Sequence, residues 1–240
     1  MRAITIHLLM LAALLSVSLS TAAAGLNDKL LNRPYADNRA WHLGFGFGMN
    51  FTALQLTHSG YISDGGERWF MEQPSYSPGF AVNGLISLRL NDYLSVRISP
   101  GICFASRELR MLDAEQGHEA TQNIRSTFVV LPVDLKYAGL RFRNIRPYIS
   151  AGLMPAFDVS KKRTDMLKLK TTDLYLTIAA GGDFYLPYFK LVPEIKFCLG
   201  LRDMLEHNRP DLADNPDGIK FTRAIDKALS RMVILTFYFE

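Results

Sequence analysis

Short and long links alternate along this chain without a break, and few folds demand that. Eight stretches of alternating polarity occur, at 41–56, 79–90, 94–105, 127–138, 146–159, 172–186, 189–201 and 230–240. The links 57–78, 106–126, 160–171 and 202–229 are long and polar, whereas 91–93, 139–145 and 187–188 are brief. An up-and-down barrel with an even strand number and both ends on one side sorts its links in this way, tight turns at one rim and longer loops at the other. Greek-key connections in a soluble sandwich give no reason for such sorting. Each stretch also reaches the ~9–11 residues that a tilted strand needs to cross a bilayer.

Side chains sort by parity within the stretches. In VVLPVDLKYA (129–138), Val129, Leu131, Val133, Leu135 and Tyr137 share one face, and Asp134 and Lys136 the other. Successive strand residues point to opposite faces. Similar apolar faces carry Leu94, Val96, Ile98, Ile102 and Phe104 in the third stretch, and Val233, Leu235, Phe237 and Phe239 in the last. The opposite faces carry Arg89, Arg97, Asp134, Lys136, Asp183, Glu194 and Lys196, all within a few residues of the short links. A charge facing lipid at mid-depth costs about 2–4 kcal/mol, whereas charges of mixed sign in a lumen can pair.

The expected fold is therefore all-β, an eight-stranded antiparallel up-and-down transmembrane barrel with its apolar faces in lipid. The seven charges are expected to cluster in the lumen near the short, periplasmic turns. Small lumenal residues such as Ser87, Ser99, Ser150, Gly152, Ala179 and Gly181 alternate with them. Eight strands enclose room for side chains but no wide aqueous channel. Tyr93, Tyr137, Tyr148, Tyr185 and Tyr188 fall near the short turns, where an interfacial aromatic girdle is expected.

The opening MRAITIHLLMLAALLSVSLSTAAAG has one cation, an apolar run and a small-residue tail, the order of a signal peptide spanning 1–24. No Cys follows the run, which argues against a lipid anchor. Beyond it there is no run of about 18 apolar residues, so no transmembrane helix is expected. Residues 25–40 are expected to form a periplasmic segment (a short helix, a plug or a docking strand) ahead of a barrel domain at 41–240. A net charge of +4 with scattered Lys and Arg gives nucleic-acid binding little support.

Candidate chemistry is sparse. His58 near Asp64, or His207 near Asp203, are the pairings at which a rim hydrolase would have to be built, but solvated loop histidines explain them better. DLADNPDG (211–218) resembles a calcium loop, yet aligning Gly218 with the turn glycine puts Ala213 and Ala224 where ligands are required. Turn chemistry accounts for the same residues. Cys103 and Cys198 point inward on the third and seventh strands, at opposite sides of the barrel, too far apart for a disulfide. No catalytic residue, cofactor, metal site or small-molecule substrate is therefore expected. Trp69, Phe70 and Met71 in the first long link suggest either a contact surface for a partner or a loop folded over the barrel mouth.

The run LPVDLKYAGLRFRNIRPYISAGL (131–153) is similar to a signature of small outer-membrane barrels common in the Bacteroidetes. With GFGFGMNFTALQL (44–56), GGDFYLPYFKLVPEIKFCLGLRDML (181–205) and the final LTFYFE (235–240), the chain from about residue 40 onward resembles the PorT family of type IX secretion barrels. The resemblance implies an accessory, non-enzymatic role in exporting cargo across the outer membrane, alongside other secretion proteins. It carries no catalytic residues over. Glu240 departs from the aromatic ending usual among outer-membrane barrels, with Phe239 one place earlier. The alternatives are a surface barrel for adhesion or envelope integrity and a lipid- or peptide-modifying barrel enzyme. A small-molecule porin ranks behind both.

Overall fold

A computed structural model describes residues 32–61, 69–72, 77–113, 119–160, 168–206 and 224–240. Its strands are β1 (Trp41–His58), β2 (Trp69–Glu72), β3 (Ser77–Arg89), β4 (Leu94–Ile98), β5 (Gly101–Asp113) and β6 (Glu119–Val130). They continue as β7 (Val133–Ala138), β8 (Ile145–Asp158), β9 (Thr172–Tyr185), β10 (Lys190–Asp203) and β11 (Ile225–Phe239). All pairings are antiparallel and the sheet closes on itself, because β1 pairs with β11 as well as with β3, and β8 pairs with β9.

Eleven strands make only eight staves. β4 leads into β5 through Ser99-Pro100, and β6 into β7 through Leu131-Pro132. Proline has no N–H to give to a ladder, so the strands break there. Register survives the break: Ile86 faces Ile98 and Asn83 faces Gly101 in one continuous alignment. The eight-stave, up-and-down barrel expected from the link pattern is the fold.

Burial runs opposite to that of a soluble protein. Phe45, Phe47 and Met49 on β1, Val133, Leu135 and Tyr137 on β7, and Leu235 and Phe237 on β11 all lie on the outer surface. Their parity partners line the interior, among them Arg97, Asp134, Lys136, Asp183, Glu194 and Lys196, each buried. Over the closing seam, Phe45, Phe47 and Phe189 gather on Phe239, with ring centroids 5.4–5.7 Å apart. Tyr93 stacks on Tyr137 at 6.3 Å near the short turns, and Tyr188 stands 92% exposed. These three tyrosines hold the interfacial positions expected of them. Tyr148 and Tyr185 do not: both are buried inside the barrel, because each shares the parity of its lumenal neighbours Ser150 and Asp183.

Two long links differ from expectation. Most of 106–126 is strand, since β5 and β6 continue as a paired hairpin up to Leu112 opposite Glu119. Within 57–78, β2 pairs with the far end of β5, Trp69 opposite Asp113 and Glu72 opposite Arg110. A three-stranded extension therefore stands at the long-loop end of the ring. Backbone pairing, not side-chain alternation, builds it. Polar residues at both parities of its sequence conceal it.

The interior is layered from the short turns upward. A charged tier comes first. Above it lies an apolar tier that includes Cys103, Phe128, Met154, Tyr175, Cys198 and Met232. A second apolar cluster (Leu54, Leu169, Met204, Leu205, Ala224, Ile225 and Ala228) fills the long-loop end. On the lumenal face of β1, Gly44, Gly46 and Gly48 leave room for this filling. A Cβ on Gly46 would stand 2.5 Å from Cδ1 of Tyr238.

Candidate functional site

The charged tier begins with alternation: β4, β7, β9 and β10 each place at least one ionisable side chain inward near the short turns. Three cations, Arg97, Lys136 and Lys196, meet three anions, Asp134, Asp183 and Glu194, all buried. Arg97 Nη1 donates to Glu194 Oε2 at 2.7 Å and to Tyr148 Oη at 3.1 Å. Tyr148 in turn donates to the same Glu194 oxygen at 2.8 Å. Lys196 Nζ donates to Asp134 Oδ2 at 2.6 Å and stands 3.4 Å from Glu194 Oε1. Thr177 closes on Asp134 Oδ1 at 2.6 Å. Lys136 Nζ bonds both oxygens of Asp183, at 2.7 and 2.8 Å, and lies 4.0 Å from the centre of the Tyr148 ring.

Buried charges are tolerable only when paired and hydrogen-bonded, and here the signs balance. The guanidinium of Arg97 is further held between the rings of Tyr148 and Tyr238, at 5.4 and 5.0 Å. What this arrangement does is close the lumen. It presents no nucleophile beside a base and no open coordination position.

Below the tier, a short strap crosses the short-turn mouth. Ala36–Asn38 forms one 3-10 turn with Ala36 buried. Asn32 donates its backbone N–H to Asn144 Oδ1 at 2.9 Å and its side-chain amide to Tyr185 O at 3.0 Å. Arg33 donates to the Glu240 carbonyl at 3.1 Å. Tyr185 Oη donates to Asp37 Oδ1 at 2.5 Å, with Arg146 and Arg141 3.6 and 3.9 Å from that carboxylate. Between strap and charged tier lies a cavity of about 40 Å³ lined by Asp37, His42, Lys136, Asp183 and Lys190 among others. That is room for water.

Of the seven charges read from the sequence, the structure brings six together. Arg89 is the exception: it sits at the rim and pairs with Asp92 of the adjoining turn, because its strand ends there. Tyr148, Tyr238 and Thr177 were missed as members of the network, although their parity with Ser150, Thr236 and Ala179 marks them as lumenal. Arg107 was missed too, since it lies in a stretch read as loop. It is fully buried over the Phe128 ring, with none of its nitrogens hydrogen-bonded among the described residues. For Trp69–Met71 only the backbone of β2 is described. His58 ends β1 on the exposed side. Asp64, His207 and the 211–218 segment lie outside the described residues. Asp203 is taken up locally, accepting from the N–H groups of Leu205 and Ala228.

Cys103 and Cys198 are both free and buried in the apolar tier. In folded barrels, a bulky maleimide is expected to modify neither, and to modify both after thermal unfolding; a mass-shift gel reads the difference. Labelling of the folded form would mean that the lumen admits large solutes.

A closed antiparallel ring with an apolar outer wall and a charge-filled interior defines a membrane-spanning β-barrel. Among the described residues no helix is long and apolar enough to cross a membrane. The chain belongs to the outer membrane protein beta-barrel domain family, which it matches over residues 29–206. It therefore sits in the lipid of the outer membrane. No curated protein matches it. Among solved structures it is similar to Neisserial surface protein A, at 9% identity over 83% of this chain and 98% of that one, with a TM-score of 0.42. AlkL in lipid bilayers gives 11% identity, 90% and 94% coverage and a TM-score of 0.42. The N-terminal β-barrel domain of Pseudomonas aeruginosa OprF gives 12%, 80% and 96%, and 0.35. At these distances the likeness says nothing about activity.

Proposed function

We propose that this chain is a non-enzymatic outer-membrane barrel acting through protein partners, as a PorT-like accessory component of type IX secretion. In this reading residues 1–24 leave as a signal peptide, residues 25–40 and both barrel ends face the periplasm, and the long loops face outward. The observation that carries it is the lumen, which among the described residues is occupied by a balanced buried ion network, apolar clusters and, at the short-turn mouth, a strap. A barrel filled in this way acts through its rims and loops. The secretion role itself draws on the sequence resemblance set out above, and Trp69, Phe70 and Met71 are assigned to partner contact in the outer loops.

The test is deletion of the gene followed by assay of secreted proteins in the medium and the periplasm. Unprocessed cargo is expected to accumulate in the periplasm and to clear when the wild-type chain is restored. Normal secretion would sink the PorT-like role. It would favour the second reading, a surface barrel for adhesion or envelope integrity, which the three-stranded extension at the long-loop end would then serve.

A further inference from the structure

Charge at the short-turn mouth is unevenly matched. Lys190 pairs with Glu240 and Arg89 with Asp92, which leaves Arg141 and Arg146 facing a single carboxylate, Asp37. Neighbouring groups other than Asp37 hold these two guanidiniums in place, and for Arg141 they include the carbonyls of Asn32 and Arg33 in the strap as well as Asn144 Oδ1 in the barrel turn. Arg146 Nε donates to Gly139 O at 2.9 Å and its Nη2 to Asp92 O. Arg141 Nε donates to Arg143 O at 2.8 Å, and its guanidinium lies 3.6 Å from the centre of the Tyr185 ring. Tyr185 Oη completes the site by donating to Asp37. Two fixed guanidiniums and a phenol converging on one point form a carboxylate socket.

The resident carboxylate is held by the phenol and not by the arginines. Its approach to the arginines, 3.6 and 3.9 Å, is longer than a charge-assisted hydrogen bond. The strap that delivers it includes one 3-10 turn, and Arg33 within it holds φ at +50°, a left-handed conformation that is strained for a residue with a Cβ. The pocket above the strap, lined by Lys136 and Asp183 among others, is partly open, with the exposed turn residues Asn91 and Asp92 at its rim.

We propose that the Arg141–Arg146–Tyr185 socket is the docking site for an acidic, extended segment of a periplasmic partner protein, with Asp37 as its built-in competitor. This rests on the reading that the short-turn face looks into the periplasm. A partner carboxylate that reaches hydrogen-bonding distance displaces the strap, and the strap's occupancy sets the threshold for docking.

The test uses the full mature chain folded in detergent micelles and a fluorescein-labelled peptide NRPYADN, a copy of residues 32–38. Fluorescence anisotropy should show D37N and D37A binding the peptide at least about tenfold more tightly than wild type, because the resident carboxylate no longer reduces the competent fraction. Adding R141Q and R146Q should abolish binding, as should a peptide with Asn in place of its Asp. Equal affinity for wild type and D37N, or binding that survives loss of both arginines, overturns the proposal. So does displacement of the peptide by phosphatidylglycerol vesicles, which would give the socket to lipid headgroups. The assay is blind to orientation, so its failure condemns the socket alone. Orientation is read separately, from a Tyr188→Cys chain on whole cells: labelling by an impermeant maleimide would remove the periplasmic partner.

Discussion

Glu194→Ala should destabilise the barrel by about 3–5 kcal/mol, because it strips the partner from charges that cannot reach water. Glu194 accepts from Arg97 and Tyr148 through one oxygen and faces Lys196 with the other. Its loss leaves the charged tier with three cations and two anions, enclosed by barrel wall and strap. Heat-dependent gel mobility, in which folded barrels migrate apart from unfolded chains, reads the change as a lower transition temperature. The informative comparison is the paired replacement Arg97→Met with Glu194→Leu. That variant removes one charge of each sign, and Lys196 keeps Asp134 at 2.6 Å. It should cost much less than the sum of its two single replacements, since the ion pair is absent from both reckonings. Simple additivity would mean that Arg97 and Glu194 act independently, and would dismantle the account of a coupled network.

Parity is what made this lumen legible. Arg97, Asp134, Lys136, Asp183, Glu194 and Lys196 each sit two or four residues from a small inward residue, and the period of a strand leaves no freedom in where they point. The same rule places Tyr148 and Tyr185 inside. Reading them by their closeness to the short turns, and not by phase, put them at the lipid interface. The β5–β6 extension was illegible for a different reason: SRELRMLD and EATQNIRS carry polar residues at both parities, so no alternation marks them. Nor could the strap's site be read. Asp37 meets Tyr185 across 148 residues of sequence, and Arg33 reaches the Glu240 carbonyl across 207. Such contacts depend on ring closure and strand tilt, which no local pattern encodes.

Ring closure itself can be broken at one atom. Gly48→Ala is expected to prevent formation of the heat-resistant folded barrel, whereas Gly84→Ala should leave it intact. Gly48 faces Thr236 in the β1–β11 seam. A Cβ at Gly48 would fall well inside contact distance of the Leu235 carbonyl oxygen and 2.8 Å from Thr236 Cα. Both are backbone atoms, so no rotamer change relieves the clash and the strands must part. Parting here exposes two sheet edges to hydrocarbon, where each unpaired N–H or C=O costs several kcal/mol, and the cost recurs along the whole seam. At Gly84 an added Cβ would meet only Pro100, its nearest atom 3.7 Å away, an ordinary contact on the lipid side. Both replacements add the same methyl to a strand glycine, so strand propensity cannot separate them. A normal folded band for Gly48→Ala would mean that the seam has slack to shift its register, and that closure does not depend on the bare face of β1.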